Sequence, residues 1–184
     1  MPTDCHKSGL AAMSRTMPDK TADRMTREIF SPGYRSRLKA GENYWTLQVQ
    51  IQELEVRAWA TLAEGKKEEA LRQMKSAAEL EDGTEKSAVT PGPLAPAREL
   101  LGEMLLVMNE PAQALEQFEA TLKKEPGRFR ALYGAAHAAQ LSGKRDTSQR
   151  YCRELLKLCS RAEKPGRSEV TEAGSQAGVA DDGK

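Results

Sequence analysis

Histidine and cysteine, the side chains that most often hold metals or act as nucleophiles, are scarce here: His6 and His137 are the two histidines, and Cys5, Cys152 and Cys159 the three cysteines. No cluster of them has the spacing of a zinc site, and no CxxC or disulfide framework occurs, so metals and cofactors are not expected and the thiols are expected to be reduced. Aromatics make up only 5% of the chain and hydrophobic residues 39%. That supply suits an elongated helical array with a thin core better than a compact globule. A formal net charge of +1 gives no global attraction to nucleic acid or to an anionic membrane. No apolar run is long enough to span a bilayer, and the first residues, MPTDCHKSGLAAMSRTMPDK, lack a continuous apolar stretch. A soluble, cytoplasmic protein is the expectation.

Catalytic signatures are equally sparse. Ser36 and Lys39 match SxxK, but the companion motifs of that chemistry are missing. Gly65-Lys66 and Gly143-Lys144 lack the preceding glycine of a phosphate loop. Paired glutamates on helix faces are explained by solvation. The chain is therefore read as a non-enzyme with no catalytic residues.

What is present is a helical pattern, clearest in residues 95–128, APAREL LGEMLLVMNE PAQALEQFEA TLKKEPGR. Leu100, Leu101, Met104, Leu105 and Met108 form an apolar stripe on a first helix, and Leu115, Phe118 and Leu122 form one on a second. Asn109 can take the left-handed conformation that ends a helix, and Pro111 suits the first turn of the next. Gly102 and Ala114 are small where two antiparallel helices cross, with Phe118 filling the space beside them. Pro126 and Gly127 stop the second helix. One hairpin cannot bury both stripes, so neighbours are required.

Those neighbours can be found by aligning the turns. Gly65 set against Asn109 puts Ala58 on Gly102, Ala70 on Ala114 and Met74 on Phe118, giving a first unit at 51–84 with helices at about 41–63 and 67–80. Gly143 marks a third turn in a unit at 129–161, where Ala136 and Ser148 take the small positions and Cys152 and Leu155 the packing positions. Its alanines, Ala131, Ala135, Ala136, Ala138 and Ala139, allow close helix approach. A proline-rich connector, 85–94, separates the first two units and is read as either a spacer or a functional loop. Residues 1–40 are expected to be disordered or loosely attached, with a short amphipathic helix at 21–30 carrying Met25, Ile29 and Phe30. Residues 162–184 are expected to be a disordered tail. The helical domain spans 41–161.

The unit length and the placement of its small, aromatic and proline residues resemble the tetratricopeptide repeat, whose unit is about 34 residues long. The resemblance implies an all-α solenoid of three helical hairpins, whose concave groove is lined by the first helix of each repeat and holds a peptide. Its groove positions fall on Glu55, Trp59 and Leu62, on Glu99, Glu103 and Leu106, and on Arg130, Tyr133, His137 and Gln140. Acidic and aromatic residues there depart from the Lys and Asn clamp of chaperone-binding members, and imply a basic or amphipathic peptide or protein partner. In the alternative, the glutamates only solvate the surface and Trp59 is core. The register sends His137 to the groove and Cys152 between helices, against a catalytic dyad. Tyr44, Trp45, Leu47 and Val49 at the start of the first helix need a cover, either an upstream helix or a second subunit, which makes homo-oligomeric assembly without a peptide ligand the second reading.

Overall fold

The computed structural model describes residues 43–84, 95–162 and 166–177. The helix expected at 21–30, the segment 1–40 and the connector 85–94 lie outside the described residues. All regular elements among the described residues are helices: α1 (Asn43–Ala63), α2 (Lys67–Asp82), α3 (Ala97–Val107), α4 (Pro111–Lys124), α5 (Phe129–Leu141), α6 (Arg145–Leu158) and α7 (Ser168–Ala177). Successive helices pack antiparallel as hairpins α1/α2, α3/α4 and α5/α6, which stack in order, and α7 lies on α6. The protein is an all-α helical-repeat solenoid.

The three hairpin turns share one backbone solution. Gly65, Asn109 and Gly143 have φ of +82°, +63° and +73°. At each turn the following N–H reaches back five residues, from Lys66 to the Thr61 carbonyl (3.1 Å), Glu110 to Leu105 (2.8 Å) and Lys144 to Ala139 (2.8 Å). The left-handed residue itself donates three residues back, to Leu62, Leu106 and Gln140. This Schellman arrangement satisfies carbonyls that the helix end would otherwise leave open. Pro111 then begins α4, where a missing N–H costs nothing.

The aligned packing positions are all closed. Ala58, Ala70 and Met74, Ala114 and Phe118, and Ala136, Ser148 and Cys152 are buried. Phe118 is the largest of the fully buried side chains. A Cβ added at Gly102 would lie 2.9 Å from its ring, and one at Gly134 would lie 2.5 Å from it. The ring is therefore clasped between α3 and α5, not merely set beside the crossing of α3 and α4. Gly134 is the residue that the sequence reading overlooked.

The expected disordered tail is corrected in part by α7. Val170, Ala173 and Ala177 recur at helical spacing; Ala173 is buried and Ala177 packs against the core. The Cys152 thiol donates to Gln176 Oε1 at 3.6 Å, and the Arg167 guanidinium lies 4.8 Å from the Phe129 ring centroid. A composition rich in Gly, Ser and acidic residues gives weak intrinsic helicity, and tertiary contact overrides it.

Gly134→Ala should lower stability by about 1–3 kcal/mol through overpacking, although alanine is the better helix former. Urea denaturation of Gly134→Ala with and without Phe118→Leu checks this: the smaller partner should recover part of the loss.

Candidate functional site

The residues expected at the groove sit on first helices: Glu55 and Trp59 on α1, Glu99 and Glu103 on α3, and Arg130, Tyr133, His137 and Gln140 on α5. Contacts that skip a helix join α1 to α3, α3 to α5 and α5 to α7. Helices that touch across an intervening one lie on the inner side of a curved stack, so the first helices line one continuous face. Trp59, Leu62, Leu106 and Tyr133 are half-buried against the core. His137 is half-buried with its ring centroid 6.2 Å from that of Tyr133, while Arg130 and Gln140 are exposed. The Tyr133 hydroxyl donates to Glu172 Oε2 of α7 at 2.7 Å, so the third-repeat end of the face is partly occupied by the chain itself.

Glu99 does not stand at this surface. It is 0% exposed, and a buried carboxylate is tolerated only when paired. Arg128, at the start of α5, supplies the pair. Its Nε donates to Glu99 Oε2 at 3.1 Å and its Nη2 to Glu99 Oε1 at 3.3 Å, while its Nη1 donates to Glu125 Oε2 at 2.9 Å. Arg130 approaches Glu99 with Nε at 3.8 Å and donates from Nη2 to Glu103 Oε1 at 2.5 Å. Burial pushes the Glu103 carboxyl above the usual range, against the pull of Arg130 and with a further push from Glu99.

Glu55 is also buried, at 9% exposure, but in a different state. Its Oε1 has no hydrogen-bond partner. Burial, with the like charge of Glu81 second, pushes its carboxyl up to about 8. It is therefore largely uncharged at neutral pH. The acidic lining implied by Glu55, Glu99 and Glu103 is thus replaced by one protonated carboxyl and two that are paired with arginines. Periodicity places a residue on a helix face but does not reveal which cation will reach it from the next repeat.

A second charged cluster joins repeats one and two. Asp82 at the end of α2 accepts from Arg98 Nε at 2.6 Å and from Lys124 Nζ at 2.5 Å, and Arg98 Nη1 donates to Gln117 Oε1 at 2.6 Å. Burial raises the Asp82 carboxyl, but Arg98 and Lys124 outweigh it and hold it below the usual range. Glu81 beside it accepts from the first N–H of α3, that of Ala97, at 2.7 Å. Together these contacts join α2 to α3 and α4 on either side of the connector. Cys152 is fully buried, and burial pushes its thiol up, which disfavours the thiolate needed for nucleophilic chemistry. Among the described residues no group of three His, Cys, Asp or Glu side chains could hold a metal, and no helix is long and apolar enough to cross a membrane.

Two outcomes follow for stability. Arg128→Ala leaves Glu99 buried with only the distant Arg130, and should cost about 3 kcal/mol in urea denaturation. Glu55 keeps a proton in the native state that the unfolded chain releases above its ordinary value of 4.5. Its contribution to stability should therefore fall as pH rises from about 5 to 8 and level off above that, by on the order of 4 kcal/mol. Glu55→Gln should remove this slope in a pH series of thermal melts and be the more stable protein at pH 8.

No protein-family model matches the chain, and no curated protein matches its sequence. Similar solved structures do exist. PcrH from Pseudomonas aeruginosa matches with a TM-score of 0.53 and 16% identity, covering 70% of this chain and 89% of that one. PcrH in complex with the chaperone-binding region of PopB gives 0.52 and 16%, covering 68% and 93%. The MamA RS-1 ArsTM double mutant gives 0.50 and 14%, covering 87% and 92%. These neighbours are tetratricopeptide-like helical-repeat proteins, and the likeness is one of fold.

Proposed function

We propose that the protein is an interaction module that holds a peptide or protein segment along the face formed by α1, α3 and α5. The observation that carries this reading is the continuity of that face. Trp59, Leu62, Leu106 and Tyr133 present half-buried apolar area in sequence along it, with His137, Arg130 and Gln140 beside them, above a core already closed by Phe118, Met74 and Leu105. Flat apolar area edged by a few polar groups is what a peptide needs for anchoring and orientation. The likeness in fold to PcrH, whose structure with the chaperone-binding region of PopB is known, is in keeping with it.

The electrostatics revise the expected ligand. With Glu99 and Glu103 paired and Glu55 largely protonated, the face has no strong acidic field, so the bound segment is amphipathic and anchored by apolar side chains. A second reading, assembly through the ends of the stack, is favoured by Trp45 and Leu158, which are 45% and 49% exposed on α1 and α6.

Affinity capture from the source cell separates the two. Leu106→Arg with Gln140→Glu alters the face without touching a fully buried side chain, and should reduce partner recovery by roughly tenfold or more, while circular dichroism stays unchanged. Equal recovery by both proteins, with oligomers lost on Trp45→Ser or Leu158→Ser, would overturn the groove reading in favour of assembly.

A further inference from the structure

Cys152 has in the third repeat the place that Phe118 has in the second, as setting Gly143 on Asn109 shows. Phe118 is closed in at Gly134 by the first helix of the repeat that follows, whereas Cys152 is met by α7, where Gln176 Oε1 accepts from its thiol at 3.6 Å. The helix α7 thus stands where a fourth repeat would begin. Its hold on the array is slight: Ala173 is its one fully buried residue, while α5 buries residues from Ala131 to Ala139. Beyond the packing of Ala177, the Tyr133 hydroxyl donates to Glu172 Oε2 at 2.7 Å and the Arg167 guanidinium lies 4.8 Å from the Phe129 ring centroid. The ten residues of α7, SEVTEAGSQA, include a glycine and several poor helix formers, and a segment of that length does not stay helical alone in water. Folding of α7 and its docking on α5 and α6 are therefore one event.

We propose that α7 is a latch on the third-repeat end of the inner face: docked, it engages Tyr133 and covers Cys152, and the bound segment of a partner displaces it while the hairpins stay folded. The proposal rests on the reading of the chain as an interaction module and adds to it a competing element within the chain. Tyr133 is the point of competition, because its hydroxyl donates to Glu172 in the docked form and its ring belongs to the apolar face. Partner binding and latch docking then oppose each other, and a change in latch stability passes directly into partner affinity as long as the docked form predominates. Gly174 gives a way to strengthen the latch alone. It lies within the helix, and a Cβ added there would meet nothing within 4 Å, so alanine adds helix propensity without a new contact.

The test uses the full chain and reads Cys152, whose thiol α7 covers. N-ethylmaleimide labelling, resolved for each cysteine by mass spectrometry, is followed in a urea series below the unfolding midpoint. Local opening of α7 should label Cys152 roughly tenfold or more faster than global unfolding allows, at a rate nearly independent of urea in that range. Gly174→Ala should slow this labelling about fivefold through helix propensity. Ala173→Glu, which sets a charge against α6, should speed it roughly tenfold or more while the cooperative urea transition persists. Labelling that follows global unfolding at every urea concentration, or that neither substitution changes, would overturn the proposal. Capture of the natural partner keeps the two ideas apart: recovery should fall with Gly174→Ala and rise with Ala173→Glu. A partner lost with Leu106→Arg and Gln140→Glu but recovered equally by both α7 variants leaves the groove reading standing and overturns the latch.

Discussion

The Phe118 ring, clasped where α3 and α5 pass over it, is the contact on which the stacking of the repeats depends. Gly102 and Gly134 let two first helices come within reach of the outer end of one ring, so a single side chain bears on both the crossing within the second repeat and its contact with the third. Elsewhere in the array the same task falls to smaller groups, Met74 in the first repeat and Cys152 in the third, both fully buried. An aromatic ring buries more area than either, and rigid packing around it leaves few alternative angles for the central hairpin. Trp59, Tyr133 and His137 on the first helices are half-buried, the first two packed against the same core.

Much of this was legible from residue type and spacing. Glycine or asparagine at three turns, small residues at the crossings and large ones beside them specified an array of helical hairpins, and Gly65, Asn109 and Gly143 all take the left-handed conformation that their residue types suggested. The reading stopped where function depends on partners distant in sequence. Glu99 has the same helical phase as a groove residue, and nothing in its own helix shows that Arg128 will bury and neutralise it. Gly134 was hidden because alanines surround it and its role belongs to a ring in the preceding hairpin. The helix α7 was hidden because its polar composition outweighed a weak apolar period, and its stability comes from α6 beneath it.

The buried charges show how the repeats differ despite a common scaffold. A repeat unit can keep an acidic pair at fixed positions because the cost of burying it is offset by a cation from the neighbouring junction. When the junction changes, the same pair acquires a different character. In the second repeat Arg128 from the junction pairs with Glu99 and Glu125; in the first, burial and the like charge of Glu81 push the Glu55 carboxyl up to about 8. Burial at equivalent positions thus goes with a raised carboxyl in the first repeat and an arginine-paired one in the second.

The reach of Arg128 back into the second repeat also bears on the order in which the chain can fold during synthesis. The hairpin α3/α4 is complete in sequence at Lys124, yet its central carboxylate has no cation until Arg128 and Arg130 have emerged. Until then the hairpin lacks the guanidinium that offsets the burial of Glu99, which disfavours closing its core. Consolidation of the middle of the array therefore waits for the beginning of its successor, and the repeats become native as an overlapping series instead of one finished unit at a time.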